Sequence, residues 1–247
     1  MCRAVSWTHA GAMELKTTPR TPWSLRSLAF IAVVAVAVLV PPFVVRGIDV
    51  AMGGTAGWRE LFLIAHVTTA GAAILLGTLQ LIPRIRKQRW LHRRIGRAFL
   101  AVGAVAFVGT GLPLALTVEN QIARAGLLVP PLLWPAFATA GFLAIRRRDV
   151  ARHRAWMARL YALSFFAISA RLIVPVLMLI QLPMLGTWYD GDVARMAEAS
   201  IPFGQWLGWI VNLAVAELIL RRKSLGQAHA ARPPGRIRPG STANRSP

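Results

Sequence analysis

Four residue types capable of chemistry stand inside otherwise apolar stretches of this chain: the imidazole of His66, the guanidinium of Arg171 and, near the C-terminal end, the Asn212 amide and Glu217 carboxylate. A neutral imidazole can ligate a haem iron or exchange a proton. A guanidinium presents five N–H donors to a carboxylate, phosphate or carbonyl oxygen and stays charged. An amide offers a donor and an acceptor at once. Two more histidines follow Arg-rich turns, in Leu91-His92-Arg93-Arg94-Ile95-Gly96-Arg97 and in Arg152-His153-Arg154-Ala155-Trp156-Met157-Ala158-Arg159. If the helices they open run side by side, His92 and His153 form a pair at one depth, suited to a haem iron, a quinone or a metal. The other reading sets both among anionic lipid headgroups with their Arg neighbours. Both readings stay open from sequence alone.

The elements that must position these residues are membrane helices. Of the 247 residues, 55% are hydrophobic and only 15% charged, with mean hydropathy +0.52. A soluble domain carries about 25% charged residues, so the composition argues against a water-soluble globule. A transmembrane helix needs about 20 mainly apolar residues. The stretches Ser27–Val45, Leu61–Ile82, Ala98–Val118, Ala125–Ile145, Leu160–Leu182 and Ile201–Leu220 meet that length. Lipid offers the backbone no partner, which leaves helices or a closed barrel, and the alternation of barrel strands is missing. The expected fold is therefore all-α: a six-helix membrane bundle over 27–220, preceded by a basic tail, 1–26, and followed by a disordered basic tail, 221–247. The first span reads as a signal anchor, because it is long and ends in Pro41-Pro42-Phe43-Val44-Val45 without a small-residue cleavage site. The single cysteine, Cys2, excludes an intramolecular disulfide and a Cys-based metal cluster. No metal site and no catalytic motif is assigned: H-E-x-x-H, G-x-S-x-G and P-loop patterns are all missing.

The net charge of +20 is distributed by loop. Arg and Lys crowd the two tails, the Arg84–Arg97 connection and the Arg146–Arg159 connection. The remaining loops carry Arg46, Arg59, Arg124 and Arg195 against Asp49, Glu60, Glu119, Asp190, Asp192 and Glu198. The positive-inside rule then places both termini in the cytoplasm, with the basic loops facing anionic headgroups. Charge sorted in this way is a topology signal and argues against a nucleic-acid site.

An ionisable group at the bilayer centre costs about 2.5 kcal/mol or more, so each one in a span is a functional candidate. With alternating spans, His66 and Arg171 lie roughly 8 and 16 Å below the outer end, at about 1.5 Å per residue, so that long side chains could meet. His66, Thr69, Ala70, Ala73, Gly77 and Gln80 share one helix face of small and polar residues, fit for packing or for lining a cavity. Gln205, Gly208 and Asn212 share another, with Gly204-x-x-x-Gly208 as a close-packing pattern. Glu217 has Arg221 one turn on, which reads as an interfacial ion pair. The candidate ligand or cofactor residues are thus His66, Gln80, His92, His153, Arg171 and Asn212. Interhelical hydrogen bonding is the structural alternative for His66 and Asn212.

The run from His66 through Gly77, Gln80 and Pro83 to the Leu91–Arg97 segment resembles the bacterial membrane proteins grouped as domain of unknown function 2306. So do His153 to Ala162, Arg171, and Asn212 to Glu217 followed by Arg221-Arg222. The resemblance covers about 60–222. It implies a multi-pass protein of the bacterial inner membrane and supplies no substrate. Two functional readings follow from the residues. One is an intramembrane binding protein for a small ligand or redox cofactor, haem or quinone-like, held by His92 and His153 or near His66 and Arg171. The other is a permease for a small solute with Arg171 as anion contact. Whether the chain is an enzyme is left open.

Overall fold

The computed structural model describes residues 23–230, which are helical apart from short connections. Cys2, the tail up to residue 22 and the basic segment 231–247 lie outside the described residues. The helices are α1 (Trp23–Leu39), α2 (Pro41–Ala51), α3 (Trp58–Leu81), α4 (Pro83–Lys87), α5 (Arg89–Ala104), α6 (Leu112–Leu116), α7 (Gln121–Arg146), α8 (Val150–Ser164), α9 (Phe166–Gln181), α10 (Leu185–Trp188) and α11 (Val193–Ala230). A π-helical turn, Val105–Gly111, joins α5 to α6, and a 3₁₀ turn, Leu182–Met184, joins α9 to α10. Six segments are long and apolar enough to cross a membrane, as expected: Leu25–Ala51, Trp58–Leu81, Arg89–Leu116, Gln121–Arg146, Phe166–Trp188 and Val193–Arg222. Six crossings return the chain to the side on which it began.

Several spans depart from straight helices, each for a visible reason. The first bends at Val40, where Pro41 and Pro42 supply no N–H to the preceding turn. The third carries the π turn, which ends two residues before Pro113, whose ring and missing N–H disturb the same stretch. The fifth breaks at Phe165, between α8 and α9. The last helix starts at Val193 rather than at Ile201, because Asp192 accepts from the backbone N–H of Ala194 (2.8 Å) and Arg195 (3.3 Å) and so acts as its N-cap. It continues past Leu220 to Ala230.

The core forms where aromatic rings meet small residues. Phe99, Phe107, Trp134, Leu160 and Leu163 are buried together, with Trp134 stacked on Phe107 and edge-on to Phe99. Gly103 leaves room for the Trp134 ring, which a Cβ there would meet at 2.3 Å. The face predicted on α3 is used in the same way: Ala73 is buried and Gly77 lies under the Tyr161 and Phe99 rings. Tyr161 donates to Thr78 Oγ1, since that hydroxyl gives its own hydrogen to Ile74 O. A second cluster joins Ala32 of α1 to Ile74, Tyr161, Phe165 and Ile168.

Helices α9 and α11 make the most extensive pairing in the bundle. The Gly204-x-x-x-Gly208 pattern accounts for it. A Cβ on Gly208 would stand 2.8 Å from Phe166 O, and one on Gly204 would stand 2.2 Å from a Val174 methyl. Ser169 donates to Asn212 Oδ1 (2.8 Å), and Asn212 Nδ2 donates to Ala162 O (3.1 Å) across the same seam. Glu217 corrects the sequence reading: both of its oxygens accept from Arg159 on α8, not from its own helix neighbour Arg221. The α8–α11 approach brings a guanidinium, held over the Trp156 ring, within direct reach.

Candidate functional site

A cavity of about 840 Å³ opens in the bundle between α1–α2, α3, the π turn, α7, α9 and α11. Its walls are apolar, with Val36, Val40, Ala70, Leu127, Phe166 and Val174 among them. The polar side chains on the lining are His66, Arg171 and Gln205, and no acidic residue is among them. His66 and Arg171, placed at neighbouring depths by residue count, both line this chamber.

His66 is fixed by the π turn. Its Nδ1 stands 2.8 Å from Ala106 O and 3.3 Å from Thr110 Oγ1. A carbonyl can only accept, so Nδ1 carries the hydrogen and Nε2 of the neutral ring holds a free lone pair. Thr110 Oγ1 donates to Val105 O and Ala106 O, both at 3.0 Å, and so ties the widened turn together. Gly111 makes the approach possible: a Cβ there would lie 2.8 Å from Ala106 O and 3.2 Å from His66 Cε1. A π turn inside an α-helix is rare and recurs at functional sites. Its signal in the sequence is confined to the crowding of Gly109, Gly111 and Pro113, and no spacing pattern marks Ala106, Thr110 or Gly111 as site residues.

Arg171 is exposed, next to Leu172 and Val176, which face outward from the bundle. Its one hydrogen bond to protein is from Nη1 to Ala167 O, 3.1 Å, a turn back on its own helix. It makes no ion pair with any described residue; the four pairs formed are Arg46 with Asp49 and Glu60, Arg159 with Glu217, and Arg195 with Asp190. Gln205, one turn before Trp209, adds an amide whose Oε1 is buried without a hydrogen-bond partner. It shares the cavity with Arg171 because Gly204 and Gly208 draw α11 against α9.

The remaining candidates fall elsewhere. Gln80 Nε2 donates to His92 O at 3.0 Å, joining α3 to α5 at the end of the bundle that carries the Arg-rich connections. His92 and His153 lie within electrostatic range of each other there. His153 Nδ1 donates to Gly141 O (2.9 Å), while His92 Nδ1 is buried with no partner. Asn212 has both ends of its amide engaged in the α8–α9–α11 seam and does not line the cavity. A smaller hollow of about 470 Å³, lined by Arg59, Glu60, Leu63, Leu114, Thr117 and Val118, adjoins the large cavity. Leu63, Leu114 and Val118 line both.

The fold and the cavity define the class: a polytopic, all-helical membrane protein whose spans enclose an apolar chamber with a few convergent polar groups. Within that class, the chain belongs to the family described as predicted membrane protein DUF2306, whose profile matches residues 63–220. His66, Arg171 and Gln205 all fall inside the matched region, and α1 and α2 fall outside it. No curated protein and no solved structure matches the chain.

Proposed function

We propose that this protein binds a small amphipathic ligand within the membrane, quinone-like in size and polarity, in the chamber lined by His66, Arg171 and Gln205. The observation that carries the reading is the union of an unpaired guanidinium and a tautomer-fixed imidazole on one apolar cavity. Ligand sites are concave, mostly apolar and oriented by a few polar groups, and about 300–1,000 Å³ is their usual size. Arg171 donates to an oxygen of the ligand, and His66 Nε2 accepts a hydrogen from it or binds a proton. Both termini are taken to face the cytoplasm of a bacterial inner membrane, with the Arg84–Arg97 and Arg146–Arg159 connections against anionic headgroups.

The haem reading has narrower support. His153 is oriented through Nδ1 as a metal-bound histidine is oriented by its outer partner, and the orphaned Nδ1 of His92 is free for another contact. The permease reading is favoured by one observation, the smaller hollow that leads from Arg59 and Glu60 to the chamber past Leu63, Leu114 and Val118.

Detergent-purified protein, extracted with solvent and examined by mass spectrometry and by its absorption spectrum, tests these readings together. A stoichiometric extractable amphiphile that is lost in His66→Ala and Arg171→Ala supports the chamber. A Soret band lost in His92→Ala and His153→Ala would move the site to the histidine pair. Folded protein that carries neither, and takes up no added quinone, would sink the proposal.

A further inference from the structure

We infer that the natural occupant of the chamber is a membrane-resident amphiphile with an anionic oxyacid head, a carboxylate or a phosphate ester, and that Arg171 is its counter-charge. This rests on the reading of the chamber as a ligand site. The argument begins with charge. A guanidinium stays ionised, and leaving it unpaired in a low-dielectric setting is costly. Elsewhere in the bundle Arg46 pairs with Asp49 and Glu60, Arg159 with Glu217 and Arg195 with Asp190. Arg171 has only the carbonyl of Ala167, and no acid lines the cavity. An anion brought by the ligand completes the site, and the planar fork of donors matches an oxyacid in two-pronged fashion.

Shape points to the source. The chamber is apolar on every wall, and its cation stands beside outward-facing Leu172 and Val176, so the mouth at Arg171 meets lipid chains rather than water. The wall opposite is the first span, bent at Val40. No residue of α2 is buried, and Val36 and Val40 line the chamber with their methyls against Gly71 of α3. A molecule dissolved in the bilayer can therefore enter sideways, head toward Arg171 and chain along Val36, Val40 and Leu127. His66 serves the same head: with Nδ1 committed to Ala106 O, Nε2 accepts from an oxyacid that keeps an O–H, or adds a second positive group when protonated.

The test uses the full chain in nanodiscs of neutral phosphatidylcholine, with radiolabelled oleate, oleyl monophosphate and the neutral oleyl alcohol as probes, and a short-chain ubiquinone as a neutral head of another kind. The expected result is that one or both acids bind about tenfold or more tightly than the alcohol. Arg171→Gln should erase that preference and Arg171→Lys should keep part of it, with thermal unfolding unchanged in both. Preference for oleate assigns a carboxylate head, and preference for the monophosphate assigns a phosphate ester. Equal binding of alcohol and acids, or a preference that survives Arg171→Gln, overturns the inference. If the ubiquinone binds and the acids do not, the chamber stands as a ligand site and the anionic head falls. If no probe binds folded protein, the ligand-site reading itself fails.

Discussion

The two sides of the chamber are built on opposite terms. On one side α9 and α11 approach closely through Gly204 and Gly208 and are joined by the Ser169–Asn212 hydrogen bond, while Asn212 and Glu217 also tie α11 to Ala162 and Arg159 of α8. On the other, the bent first span rests its Val36 and Val40 methyls on Gly71, with Ala32 as the buried residue of α1 and none in α2. One wall is held by main chain and hydrogen bonds in a medium where apolar surface gains little from association. The other is held by side-chain packing and by one exposed ion pair, Arg46 of α2 with Glu60 of α3. The polar groups that would grip a ligand, Arg171 and Gln205, ride on the rigid wall, and His66 is locked to the π turn behind it. A fixed grip facing a yielding wall suits a site that must orient a head group and yet admit a long molecule.

The largest effect that could break this comparison is expected from Gly208→Leu. Even a Cβ would press on Phe166 O at 2.8 Å and on Ala170 Cβ at 3.1 Å, and neither is the free end of a flexible side chain. Overpacking of about 3 kcal/mol or more is expected, seen as lost folded protein after detergent extraction or a strongly lowered unfolding temperature. A stable Gly208→Leu variant would show that α9 and α11 are not locked together. Next comes Leu160→Ala in the shared core, where the side chain is fully buried; a cost of about 3 kcal/mol in reversible unfolding is expected. Asn212→Ala should cost less, about 1 kcal/mol, because it leaves Ser169 Oγ without its acceptor and removes one of the two donors to Ala162 O, the Phe165 N–H remaining. Since Asn212 lies off the cavity, ligand affinity should follow the loss of stability and show no separate change. A selective loss of binding in stable Asn212→Ala protein would return this residue to the site.

The span count and helical class could be read from hydropathy because each span must satisfy its own backbone and so announces itself over some twenty apolar residues. That His66 and Arg171 lie at depths that let both line one cavity was legible for a related reason: depth in a bundle follows from residue count along helices of fixed rise. What stayed hidden depends on contacts between helices. That Glu217 pairs with Arg159 rather than Arg221 is decided by how closely α8 approaches α11, which no local spacing encodes. The π turn escaped because its cause is shared between Pro113, Thr110 and a histidine on another helix. Gln205 was visible on a helix face with Gly208 and Asn212, yet nothing in the sequence told which of the three would turn to the chamber and which to the seam.

The smallest expected effect is also the sharpest test of the two-wall contrast. A Cβ on Gly71 would stand 2.6 Å from a Val40 methyl, a closer approach on paper than the 2.8 Å at Gly208. Distance alone therefore ranks Gly71→Ala as the worse substitution. The partner decides otherwise: Val40 sits at the bend of a span whose α2 half buries no residue, so the methyl can retreat with its helix, whereas Phe166 O belongs to the backbone of α9. Gly71→Ala should cost under about 1 kcal/mol and Gly208→Ala about 2 kcal/mol, compared side by side in the same detergent by thermal or denaturant unfolding. The displaced first span should also widen the entry beside Val36 and Val40, so that ligand exchange quickens in Gly71→Ala while affinity changes little. Equal destabilisation by the two alanines would mean that the first span is as firmly seated as α9, and that the chamber has no yielding wall through which a lipid-borne molecule enters.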